Sequence, residues 1–345
     1  MTAPAGDINK VRKRVFLIVT CLLSLICLIW AVHGLNLQSL RSDIAHLDWR
    51  WVAIAMISDL LIYIWQGWRW ALVLAPIKRV SSMQAVRAIF VGLFANEVLP
   101  LRAGEIIRCY LLGRANDLPV SVTLASALIE RIFDGIWLVA CLFVTIRYVH
   151  LPKRLVAGGI ILGVLILAVG ILLAIAMYWR QQTLDALLNA RWFGWIHVLI
   201  EDLHLIGHSR YLYYAFFMTI PVMLLQVAPI YAMMRAYSHL STISMGAAFT
   251  LMVVMRLGTV IPQGPGNLGT YNSLIIMALH IFGVERHISA RFSLILWTAV
   301  TIPLLLAGFI ALAITGGTIG NIHREAQAGM KRTPAPVPLD DPAIK

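Results

Sequence analysis

Long apolar runs set the pattern of this chain. Residues 15–32, 155–178, 211–234 and 292–320 hold no Asp, Glu, Lys or Arg. Each is long enough to cross roughly 30 Å of hydrocarbon as a helix. Further apolar stretches at 51–74, 83–99, 120–149 and 244–261, with a half-length piece at 271–283, bring the total to about eight membrane segments plus broken ones. The expected fold is all-α, a polytopic bundle of transmembrane helices. Between 179 and 210 the pattern changes. Leu184, Leu187, Leu188, Trp192, Trp195, Ile196, Leu199, Leu203 and Ile206 follow helical spacing with polar residues opposite, which predicts an amphipathic segment lying on the membrane surface.

Composition agrees with this pattern. Of 345 residues, 60% are hydrophobic and 13% charged, and the mean hydropathy is +0.82, too apolar for a soluble globule. The net charge of +12 comes from basic residues scattered along the edges of apolar segments. It reads as orientation signals and attraction to anionic headgroups, with no nucleic-acid surface. The four cysteines, Cys21, Cys27, Cys109 and Cys141, lack metal-type spacing and read as small buried hydrophobes. Lys10, Arg12, Lys13 and Arg14 precede the first apolar run, and no A-x-A-type cleavage site follows. Residues 1–14 are therefore expected to be a basic cytoplasmic N-terminus, with the run after them a retained anchor. Residues 15–320 form the membrane domain, and the proline-rich stretch 321–345 is expected to be a disordered cytoplasmic tail. Trp49, Trp51, Trp65, Trp68, Trp70 and Trp179 cluster toward segment ends, as interfacial belts do.

The chemistry lies in polar residues inside apolar sequence, because a charge in hydrocarbon is costly unless it faces a cavity or finds a partner. Three groups qualify. In the first, an apolar helix reaches Asn96 and Glu97, breaks at Pro100 and Gly104, and continues with Arg102, Glu105 and Arg108. Such a break frees backbone groups that a protein-lined or water-filled cavity must satisfy. The second is Glu130-Arg131-Ile132-Phe133-Asp134, where Glu130 and Asp134 share a helical face and Arg131 is placed to pair with Asp134. The third follows Arg256 and contains Pro262, Pro265, Gly266, Asn267, Gly269 and Asn272. Its free N–H groups and the following half-helix suit an anion such as a lipid phosphate. The first and third groups superimpose without gaps: Ala85 meets Ala247, Val98 meets Val260, Pro100 meets Pro262 and Gly104 meets Gly266. Matched broken helices in two halves suggest an internal repeat with its site between the halves.

His197, Glu201, His204 and His208 recur at spacings of four, three and four on the polar side of the amphipathic segment. A headgroup-facing stripe is the favoured reading over a metal site, and no metal or cofactor is expected.

The ordered patterns N-x-x-x-P-x-R-x-G-E, E-R-x-x-D and P-x-x-P-G-x-x-G together resemble the lysylphosphatidylglycerol synthase transmembrane-region family, also called the flippase-like domain or UPF0104 family. The resemblance spans about 15–320. It falls on Asn96, Pro100, Arg102, Gly104 and Glu105, then Glu130, Arg131 and Asp134, then Pro262, Pro265, Gly266 and Gly269. It implies a bacterial inner-membrane protein with a cavity for an anionic headgroup, on a phospholipid or a polyprenyl-phosphate-linked lipid. A second copy of the chain or a lipid-synthesis enzyme would be its protein partner. Asn267 and Asn272 stand where the family often has Gly and Glu, so a carboxylate role there is not expected. The chain shows no soluble aminoacyl-transferase domain, and lysyl transfer is not expected either.

The function expected is a transporter, a flippase-like membrane protein and not an enzyme, that moves a phosphate-bearing lipid across the bilayer. Arg102, Arg131, Arg69, Arg108 and Arg256 would offset the phosphate charge, and Glu105, Glu130 and Asp134 would hold those arginines in place. No G-x-x-x-x-G-K-[ST] loop occurs, so hydrolysis of a nucleotide within this chain is not expected to drive it. Two rivals stay open. A glycosyl- or acyl-transferase acting on a lipid carrier would use the same carboxylates, although no D-x-D metal signature is present. A non-catalytic scaffold of a lipid-synthesis complex would tolerate replacement of the charged residues.

Overall fold

The computed structural model describes residues 22, 25, 26, 28, 29, 36–99, 103–149, 151–178, 209–258 and 267–316. Among them the chain is helical and no strand occurs. The helices are α1 (Leu37–Ala45), α2 (Trp49–Leu74), α3 (Ser82–Val98), α4 (Gly104–Ala115), α5 (Val120–Tyr148) and α6 (Lys153–Tyr178), then α7 (Arg210–Phe217), α8 (Thr219–Leu225), α9 (Val227–Ala236), α10 (Met245–Gly258), α11 (Thr270–His280) and α12 (Arg286–Thr315). Residues 1–14, the tail, most of the first apolar run, and 179–208 with the histidine stripe lie outside the described residues.

Local sequence sets several boundaries. The Asn36 side chain accepts from the N–H groups of Gln38 and Ser39 and starts α1, and Asp48 does the same for α2 through Arg50. Gly316, at φ +72°, takes the left-handed conformation that closes α12.

The apolar run at 211–234 is three helices rather than the single helix its composition predicts. Pro221 and Pro229 lack the N–H groups that would bond the carbonyls four residues back, and α7 and α8 end there, at Phe217 and Leu225. Two indoles answer carbonyls near the first break. Trp137 Nε1 donates to Phe216 O at 3.1 Å and Trp65 Nε1 to Met218 O at 3.3 Å. The last helix also differs from expectation. It starts at Arg286 and takes in Arg291, because Asp43 of α1 accepts from Arg291 Nε at 2.5 Å and from Tyr237 Oη at 2.6 Å. Burial and the Asp43 contact raise the Tyr237 phenol above its ordinary pKa.

The segments α2, α7–α9 and α12 are long and apolar enough to cross a membrane. Their exposed surface is apolar too, as at Ile57, Leu224, Leu306 and Phe309, as a lipid-facing side requires. Two cores hold the bundle together. One gathers α9, α10, α11 and the first half of α12 around Met233, Leu251, Leu279 and Phe292; the other gathers α2, α3 and α4 around Trp70, Ile89 and Leu112.

Small residues let the backbones of the second core approach. At Gly67 a Cβ would lie 2.4 Å from Val86 Cγ2, and at Gly104 it would lie 1.8 Å from the Gly92 carbonyl oxygen. α3 and α4 thus form a hairpin closed at Gly92 and Gly104, and α10 and α11 form another, with Leu274 against Gly258. Gly104→Ala is expected to destabilise the protein by more than the ~1–3 kcal/mol usual for overpacking, because backbone rather than a side-chain tip blocks the added methyl. A lowered unfolding midpoint in detergent, with Gly158→Ala unchanged as the control in open space, would show it.

Candidate functional site

The middle of α5 carries Glu130, Arg131 and Asp134, and the spacing of four puts the two carboxylates on one face. Across from that face lie Arg69 of α2 and Glu105 and Arg108 of α4, three residues apart on one turn of their helix. These six side chains close a ring of alternating charge. Arg131 Nη2 lies 3.3 Å from Glu105 Oε1, and Arg108 Nε donates to Glu105 Oε2 at 2.9 Å. Arg108 Nη1 then reaches Glu130 Oε2 at 3.1 Å, and Glu130 Oε1 meets Arg69 Nη2 at 3.1 Å. Arg69 Nη1 bonds Asp134 Oδ1 at 2.6 Å, and Asp134 Oδ2 lies 3.5 Å from Arg131 Nη1.

Three guanidinium groups face three carboxylates, so the ring is neutral as a whole. That balance is what lets such charge sit inside a helical bundle, where each ion alone would cost several kcal/mol. Supporting contacts fix its deep side. Thr219 accepts from Arg69 Nη1 at 2.7 Å, and Arg108 lies over the Trp70 ring at 4.6 Å, whose Nε1 donates to Ser126 Oγ at 2.9 Å.

The ring has a buried side and an open side. The Arg69 and Glu130 side chains are 0% exposed, whereas those of Arg131 and Glu105 are each 43% exposed. Arg131 also makes the longest contacts of the ring, at 3.3 and 3.5 Å, so its bonds are the weakest to exchange.

Arg131, Glu105 and Arg108 look into a cavity of about 310 Å³ between α2, α3, α4, α10, α11 and α12. Arg256 lines the same cavity; its Nε donates to Gln226 Oε1 at 2.5 Å, and its charge acts on that of Arg131. The combination of a concave, half-apolar wall with a few convergent polar groups is what a headgroup site requires.

Of the residues expected from sequence, the structure brings Asn96, Glu105, Arg108, Arg131, Arg256 and Asn267 to the cavity wall. Asn96 also accepts from Gly104 N at 2.8 Å and so fastens the start of α4 across the hairpin. Asn267, at φ +52°, donates to Glu97 Oε1 at 3.4 Å. Glu130 and Asp134 lie behind the wall as members of the ring.

Two of the expected residues stand away from the cavity. Gly269 at φ +90° turns the chain into α11, and Asn272 is fully buried, its Oδ1 accepting from Gly269 N and its Nδ2 donating to Ser293 Oγ. With both ends of its amide used, Asn272 is a helix cap tied to α12 rather than a headgroup contact. Pro100, Arg102, Pro262, Pro265 and Gly266 lie outside the described residues.

Arg69, expected with the other arginines to offset phosphate charge, sits instead at the closed end of the ring. Asp59, Tyr63, Gln66, Gln226 and Tyr271 also line the cavity without having been singled out. Asp59 was detectable: an ionisable residue in the middle of an apolar helix is a site signal by itself. The amides and phenols give no such signal, since Tyr and Gln are ordinary in membrane helices.

Among the described residues, no group of three or more His, Cys, Asp or Glu is placed to hold a metal.

The family model described as the lysylphosphatidylglycerol synthase TM region matches residues 17–308. A UPF0104 membrane protein of Methanothermobacter thermautotrophicus is 23% identical over 319 residues, covering 83% of this chain and 89% of its own length. No solved structure matches the chain.

Proposed function

Since the chain belongs to the lysylphosphatidylglycerol synthase TM region family, we propose that it moves a lipid with an anionic, phosphate-bearing headgroup across the bilayer through the charged cavity. The observation that carries this reading is that Arg131 and Arg256 face one cavity inside the bundle, with Arg131 half-exposed and loosely held.

The mechanism follows from the neutrality of the ring. A phosphate that enters between Arg131 and Arg256 does not meet surplus positive charge from the ring; it takes the place of Glu105 and Asp134 on Arg131. Guanidinium suits this exchange, because its fork donates to carboxylate or phosphate oxygens in the same bidentate geometry and it stays charged when buried. Arg69, Glu130 and Arg108 keep their own bonds and hold the frame. The phosphate replaces two carboxylate contacts of Arg131, while Glu105 keeps Arg108 and Asp134 keeps Arg69, so the headgroup gains a partner without leaving a bare carboxylate in the bundle.

The same reading places the protein in a bacterial inner membrane with both termini in the cytoplasm. That orientation rests on the basic residues before the first apolar run and in the tail.

The test is leaflet exchange in liposomes that contain the purified full chain and fluorescent phosphatidylglycerol. Exchange should be clearly faster than in empty vesicles. Rates equal to empty vesicles for phosphatidylglycerol and for polyprenyl phosphate, with the protein folded and inserted, would overturn the proposal.

A further inference from the structure

Part of the cavity wall is polar but mostly uncharged, and the ring does not use it. Asp59, Tyr63 and Gln66 lie at spacings of four and three on α2, so one helical face presents all three. Gln226, between α8 and α9, and Tyr271, in the first turn of α11, line the same cavity.

These side chains have polar atoms to spare. Asp59 is 8% exposed and Gln226 7%, yet Asp59 Oδ2 and Gln226 Nε2 bond to no protein group. Gln66 and the two phenol hydroxyls make no hydrogen bond to any described residue either. Buried polar atoms are nearly always satisfied, so the two orphaned atoms of Asp59 and Gln226, with three more polar side chains around the same space, point to a ligand or water that satisfies them.

Their chemistry narrows the choice. Asp59 Oδ2 accepts when ionised, Gln226 Nε2 only donates, and the Gln66 amide and the two phenols do both. An ammonium group would serve the acceptors and leave the Gln226 donor unmet. Hydroxyl groups both donate and accept, and several on neighbouring carbons would satisfy the whole wall.

We infer that this wall binds the hydroxyl-bearing part of the headgroup, a glycerol or a sugar, beside the phosphate held by Arg131 and Arg256. The inference rests on the proposed phosphate-lipid reading and adds to it the class of alcohol that the phosphate carries.

Two short-chain lipids of equal charge separate the contributions. Dihexanoyl phosphatidylglycerol and dihexanoyl phosphatidylmethanol share the phosphodiester and the acyl chains and differ in the headgroup hydroxyls. Binding of each to the full chain in nanodiscs is measured for the wild type, Asp59→Asn and Tyr271→Phe. The glycerol lipid should bind tighter to the wild type by on the order of tenfold or more, the effect of leaving buried polar groups unpaired. Either variant that elutes as a folded monodisperse protein should shrink that ratio while leaving phosphatidylmethanol binding unchanged.

Equal affinity of the two lipids for the wild type would overturn the hydroxyl wall and leave the phosphate reading standing. Tighter binding of dihexanoyl phosphatidylethanolamine than of the glycerol lipid would overturn it in favour of an amine recognised by Asp59. Binding of neither phosphate lipid would overturn the phosphate reading, and this inference with it.

Discussion

Replacing Glu130 by Ala is expected to destabilise the folded protein by about 3–5 kcal/mol, the usual penalty for breaking a buried ion pair from one side. Glu130 is fully buried and bonds both Arg69 and Arg108, so its loss leaves two guanidinium groups in the bundle with one fewer anion between them. The measurement is the unfolding midpoint of purified protein in detergent, together with its yield from membranes. Removing charge in balance should be much milder. With Arg69→Met and Glu130→Leu combined, the remaining groups form a neutral chain, Asp134 to Arg131 to Glu105 to Arg108, in which each charge keeps a partner. A double variant as unstable as the single one would show that the ring does not work as a charge-balanced unit.

Arg131→Ala is expected to do the opposite: lose transport and keep the fold. Its side chain is 43% exposed and its ion-pair contacts are long, so its removal costs little stability. Glu105 keeps Arg108 and Asp134 keeps Arg69, which leaves no orphaned carboxylate behind. If Arg131 is the group that exchanges a carboxylate for the headgroup phosphate, leaflet exchange of fluorescent phosphatidylglycerol falls to the level of empty vesicles. Arg131→Lys should sit between the two, because an ammonium supplies the charge without the bidentate fork. Undiminished exchange in Arg131→Ala would remove Arg131 from the pathway. Loss of the protein from the membrane would assign Arg131 to the frame with Arg69 and Glu130.

These two outcomes separate residues that stand next to each other in the chain, and the sequence alone does not separate them. Glu130, Arg131 and Asp134 are visible as charges in an apolar helix, and their spacing correctly makes Arg131 and Asp134 neighbours. The spacing is silent on Arg69, 61 residues before Glu130, which takes the shorter bond to Asp134. Likewise Asn96 and Asn272 look alike in sequence, as asparagines beside broken helices. Asn96 lines the cavity, while Asn272 is spent on capping α11 and binding Ser293.

The sequence by itself determined that this is an all-helical membrane protein, where several of its long helices start and stop, and where charges fall inside apolar helices. Those features depend on local quantities: apolar length against bilayer thickness, helical period, and the hydrogen bonds that proline cannot make. Apolar length alone missed the division of 211–234 into three helices, which Pro221 and Pro229 impose by lacking donors. Only the tertiary structure decided which arginine is buried and which is exposed, that six charges form one neutral ring, and that Asp59, Tyr63, Gln66, Gln226 and Tyr271 share a cavity with Arg256. Those facts depend on how α2, α4, α5 and α10 pack together, and packing brings together residues whose separation along the chain carries no periodic signal.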